Sequence, residues 1–149
     1  IQAAVAKAPD AGKVALVQLV TQWGRGELVA SQVPAVAERL AQALSLATAS
    51  DADRIDAARR LMAIQDNKAS VTTILSQIGI LSTPSLANGL IGTLSTSRIP
   101  ETAPAVVGRW AELSPAMRRS ATALLLRRKE LQPEISTEEV CEVLDMLRA

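Results

Sequence analysis

Thr83-Pro84-Ser85-Leu86-Ala87-Asn88-Gly89-Leu90-Ile91-Gly92-Thr93-Leu94 is the stretch that decides the fold. Thr83 offers a hydroxyl to cap a helix N-terminus, and Pro84 takes the first helical position, where a missing N–H costs nothing. Leu86, Leu90, Ile91 and Leu94 then recur at helical spacing. The same grammar opens at Asp51-Ala52-Asp53-Arg54 and at Ser114-Pro115-Ala116, so a start signal returns about every 31 residues. A second amphipathic run follows each start. Hairpins of this kind cannot bury their apolar faces singly and must stack on one another. The pattern therefore predicts an all-α stacked array, an α-solenoid of about eight helices in four hairpins, filling residues 1–149 as one helical-repeat domain.

Working outward, Asp10 caps a first helix bearing Val14, Val17 and Val20 with Leu16, Leu19 and Trp23, stopped by Gly24 and Gly26. A second helix runs from about Ser31 to about Ala47 with Val33, Val36, Leu40 and Leu44 inward. The third, from Asp51 to Gln65, places Ile55, Ala58, Leu61, Met62 and Gln65 on one side, with Asp56 in reach of Arg59 or Arg60. Asp66-Asn67 makes a tight turn into a fourth helix with Val71, Ile74, Leu75 and Ile78, ending near Gly79. Gly89 and Gly92 sit inside the fifth helix, at up to ~1 kcal/mol each against Ala, which points to close approach of a neighbouring helix. A short sixth helix carries Val106, Val107 and Trp110. The seventh turns Met117, Ala121, Leu124 and Leu125 inward, and Ser136-x-x-Glu139 is a capping box for an eighth with Val140, Val143, Leu144 and Leu147.

Composition narrows the function classes. The chain has no Phe, no Tyr and no His, two Trp and one Cys, with 48% hydrophobic and 21% charged residues and a net charge of +1. Ala and Leu build a helical core without aromatic packing, while the lack of aromatics removes the platforms on which single-stranded nucleic acid stacks. Without histidine there is no imidazole base or metal ligand, and Cys141, flanked by Glu139 and Glu142, is a packing residue rather than a reactive thiol. No run approaches the ~20 apolar residues of a membrane span. The start at Ile1, without Met, suggests a fragment of a longer multidomain protein.

Candidate sites are few. Arg118, Arg119, Arg127, Arg128 and Lys129 form a basic run that suits carboxylate or phosphate, but Glu130, Glu134, Glu138, Glu139, Glu142 and Asp145 follow, so pairing between adjacent helices is preferred to a ligand site. Arg59 and Arg60 are read in the same way. Asp51 with Asp53, and Glu138 with Glu139, belong to first helical turns, where the helix dipole explains acids without catalysis. Gly89-Leu90-Ile91-Gly92 lacks the strand and lysine of a phosphate loop. Trp23 and Trp110 each close a hairpin end as core plugs with the indole N–H on a carbonyl, Trp110 being the alternative partner anchor. The interaction surface to test is therefore Arg59, Arg60, Arg118, Arg119, Arg127, Arg128 and Trp110, with no catalytic, cofactor-binding or metal-ligating residue.

Arg54-Ile55-Asp56-Ala57-Ala58-Arg59-Arg60-Leu61, Thr83 to Leu90, and Gly108-Arg109-Trp110-Ala111-Glu112-Leu113-Ser114-Pro115-Ala116-Met117-Arg118-Arg119 with Leu124-Leu125-Leu126-Arg127-Arg128 behind carry a family likeness. They resemble the HEAT-like helical region of large planctomycete- and verrucomicrobial-type multidomain proteins described as membrane-bound dehydrogenases or haem-binding proteins. The resemblance implies a sugar-dehydrogenase-like β-propeller before this region and a c-type cytochrome domain with Cys-x-x-Cys-His after it, in an exported or periplasmic protein. It implies c-type haem in the parent and none in this chain, which has no Cys-x-x-Cys-His. The expected role is a non-catalytic scaffold positioning neighbouring domains, with partners in the same polypeptide or another protein and none in nucleic acid. The alternative is a stand-alone adaptor whose groove takes a peptide. An unusual His-free enzyme of Asp, Glu, Arg and Ser is the remote third.

Overall fold

The computed structural model describes residue 8 and residues 10–79 and 82–131, with side chains described from 12 to 79 and from 82 to 127. The described residues are all-helical: α1 (Asp10–Gln22), α2 (Val33–Ser45), α3 (Asp51–Ile64), α4 (Lys68–Ser76), α5 (Pro84–Leu94), α6 (Thr102–Gly108) and α7 (Pro115–Leu131). Short 3-10 turns at Gly26–Val29 and Trp110–Glu112 complete the set. The eighth helix expected from Ser136, Cys141 and the acidic run from Glu130 onward lie outside the described side chains.

Local chemistry sets the starts. Thr83 Oγ1 accepts from Leu86 N at 3.1 Å, and Asn67 Oδ1 accepts from Ser70 N at 2.9 Å. The cap of α3 is Ser50, one residue earlier than the Asp51 start signal. Its Oγ accepts from Asp53 N at 3.2 Å and donates to Asp53 Oδ2 at 2.6 Å, which closes the first turn reciprocally and frees Asp51 for another task. At the end of α1, Gly24 turns the chain at φ +69, a conformation that strains any side-chain-bearing residue.

The helices contact one another in two rows. α1 meets α3, α3 meets α5 and α5 meets α7, while α2 meets α4 and α4 meets α6; α2 also lies along α3. Between the rows runs one core that includes Val17, Leu44, Ala58, Ile74, Leu90, Leu94, Val106 and Leu124. Burying a Leu or Ile side chain of this core stabilises by ~1.5–3 kcal/mol, and the small Ala57, Ala58 and Ala87 let α3 and α5 approach. Gly89 shows how close. A Cβ there would stand 2.3 Å from Ile55 Cδ1 and 2.7 Å from its Cγ1, so the glycine is a seat for the α3 isoleucine. Gly92 has open space around the same position, and the close approach expected of both glycines holds only at Gly89.

Candidate functional site

Side-chain bonds join positions 31 to 34 residues apart in the chain. Asp51 at the head of α3 accepts a short bond from Thr83 Oγ1, the cap of α5, 32 residues on. Asn88 Oδ1 on α5 accepts from Ser120 Oγ on α7 at 2.7 Å, again over 32 residues. Asp66, after α3, accepts from Ser97 Oγ at 2.7 Å and from Arg98 N at 2.7 Å, over 31 and 32 residues. The buried Ser97 and Thr102 hydroxyls lie 2.9 Å apart, which extends that link into the core. Arginines do related work at helix ends: Arg54 Nε donates to Leu44 O at 2.8 Å at the end of α2, and Arg109 Nη1 to Leu75 O at 2.9 Å, a carbonyl that also accepts from Ile78 N.

An open groove of about 850 Å³ lies against the Asp66 link. Thr21 and Gln22 from the end of α1, Arg59, Met62 and Ala63 from α3, Gly92, Thr93 and Thr96 from the end of α5, and Asp66 and Arg98 from the turns line it. The row of α1, α3 and α5 forms this groove. Arg59 was singled out in sequence, and Arg98 was missed. The offset of 31 to 32 residues between Asp66 and the Ser97-Arg98 pair is the signal that could have found it.

The nominated residues do not converge. Arg60 pairs with Asp56 at 2.7 Å with both side chains substantially exposed, as the i+4 spacing predicts, a contact worth ~0.3–0.5 kcal/mol. Arg118 Nε donates to Leu113 O at 3.1 Å and its guanidinium sits 6.0 Å from the Trp110 ring centroid, so it braces the end of the third hairpin. Arg119 and Arg127 are exposed, and the Arg128 side chain is outside the described set.

The two tryptophans depart from expectation in opposite ways. Trp110 is 9% exposed and belongs to the core, so it offers no surface anchor, and its Nε1 has no hydrogen-bond partner where a carbonyl was expected. Trp23 is 68% exposed and plugs nothing. The helix stops at Gln22, so Trp23 enters the Gly24 turn instead of continuing the Val17 and Val20 face.

Among the described residues no group of three or more His, Cys, Asp or Glu is placed to hold a metal ion, and no helix is long and apolar enough to cross a membrane. Comparison with protein-family models, curated proteins and solved structures finds no match.

Proposed function

We propose that this chain is a non-catalytic α-solenoid of HEAT-like type that positions neighbouring domains of its own polypeptide. The supporting observation is the set of links at separations of 31, 32 and 34 residues, each joining a hairpin to the next. Nearest-neighbour coupling of that kind makes a stiff spacer whose ends hold their distance. By the resemblance, the neighbours are a sugar-dehydrogenase-like propeller and a cytochrome c domain of an exported protein. Covalent c-type haem would belong to the latter, since a chain with no His and a single Cys does not fit it.

Crosslinking mass spectrometry on the parent polypeptide in its native host tests the proposal. Crosslinks from Lys13 and Lys68 to other domains of the same polypeptide are expected. Crosslinks only to separate proteins would replace positioning in cis with an adaptor in trans, a second reading favoured by the Arg59 and Arg98 guanidinium groups that line the groove. A pyridine haemochrome assay on the same preparation tests the redox setting.

A further inference from the structure

The groove between the ends of α1, α3 and α5 has a chemistry that none of the repeat links uses. Arg59 and Arg98 bring two guanidinium groups to it, and among the described residues neither group is paired. Asp66 is the acid among the described lining residues, and its two oxygens already accept from Ser97 Oγ and Arg98 N. The nearby Asp56 is engaged by Arg60. The lining therefore carries an excess of fork-shaped donors suited to carboxylates.

The remaining polar groups point to a peptide rather than a small anion. Thr21 Oγ1 donates to Val17 O at 2.8 Å and Thr96 Oγ1 to Thr93 O at 2.7 Å, and both side chains reach solvent, whereas Thr93 is buried. Each hydroxyl proton is thus spent within the protein, and what the oxygens offer to a ligand is lone pairs. A fully deprotonated anion such as sulfate has no donors for them; a peptide has one backbone N–H at nearly every residue. Met62, Ala63 and Gly92 add an apolar strip, and the volume of about 850 Å³ lies at the upper end of ordinary ligand sites. The lining contains no aromatic ring on which a base could stack.

Resting on the adaptor reading given second above, we infer that this groove captures an extended acidic peptide segment of a partner, with Arg59 and Arg98 each taking a carboxylate and the Thr21 and Thr96 oxygens taking backbone N–H groups. The test is selection from a random nine-residue peptide display library on the folded full chain, followed by fluorescence anisotropy with the enriched peptides. Enrichment of peptides with at least two Asp or Glu is expected, with Kd raised at least ~10-fold in Arg59→Gln/Arg98→Gln and much less in Arg59→Lys/Arg98→Lys. The double Gln variant should keep the wild-type circular dichroism spectrum, because both side chains are exposed. Arg119→Gln, outside the groove, should leave Kd unchanged. Enrichment without acidic bias, binding indifferent to the double Gln variant, or equal competition by a single-stranded oligonucleotide would each overturn the inference. Those outcomes leave the positioning role standing, since the crosslinks in cis decide that role separately.

Discussion

α1 and α5 occupy the same row but live in different surroundings. α5 packs between α3 and α7, buries Leu86, Ala87, Leu90, Ile91, Thr93 and Leu94, and exposes no large apolar side chain. α1 packs on α2 and α3, buries Val17 and Val20, and leaves Leu19 at 40% and the following Trp23 at 68% exposure. Both helices are Leu- and Val-rich or Leu- and Ile-rich, so composition does not separate them. A helix with a row neighbour on both sides commits all its large apolar side chains and leaves only Pro84, Ser85, Asn88 and Gly92 exposed, whereas one with a single described row neighbour keeps large apolar side chains open.

Large truncations probe that contrast most strongly. Trp110→Ala should destabilise by ~3–5 kcal/mol and Leu61→Ala or Leu124→Ala by ~2–5 kcal/mol in urea denaturation, because all three are buried in the shared core. Trp23→Ala should change stability by no more than ~0.5 kcal/mol. Comparable losses for the two tryptophans would erase the distinction between the open and the enclosed helix. In native-state hydrogen exchange, Leu61→Ala should weaken protection in α2 and α5 as well as α3, the spread that stacked repeats require.

The next effect sharpens the enclosed side. Gly89→Ala drives a methyl into Ile55 and should cost ~1–3 kcal/mol, part of which Ile55→Val in the same chain restores. Gly92→Ala, three residues on with nothing near, should stabilise by up to ~1 kcal/mol from helix propensity. Equal effects at the two positions would mean that α3 and α5 do not approach as closely as Ile55 indicates. Asp66→Ala removes the acceptor of two bonds and should cost ~1–3 kcal/mol, with faster amide exchange at Arg98 as its local mark.

What could be read from the chain was what depends on neighbours in sequence. Thr83 with Pro84 caps where local chemistry puts it, the Asp66-Asn67 turn precedes α4 as its residues dictate, and the inward stripe of Leu86, Leu90, Ile91 and Leu94 is wholly buried because helical period fixes it. The Ser50 start slipped by one residue because Ser50 and Asp51 are both good caps, and the choice between them depends on Thr83, a tertiary partner. Trp23 was misplaced because one residue past a helix end the period no longer predicts a face. Of the groove, Arg59 was legible as a surface cation expected to pair with a neighbouring acid, but Thr21, Gln22 and Arg98 come from distant parts of the chain and have no local signature.

The smallest effect lies on the open side, in the connector after α1. Glu27 is held below its usual pKa of 4.5, first by its own backbone N–H, then by the Arg25 side chain, whose Nε donates to Oε1 at 3.0 Å. A carboxyl whose folded pKa is depressed contributes stability above its unfolded value, and that contribution disappears as pH falls through the folded pKa. Here the pair is exposed to solvent, so the change in global stability below pH 4.5 should be slight and weaker still in high salt. Carboxyl chemical shifts followed through an acid titration would show it directly. Arg25→Ala should raise the Glu27 midpoint only part of the way, since the backbone N–H remains; a full return to the usual value would make Arg25 the dominant cause and reverse that order.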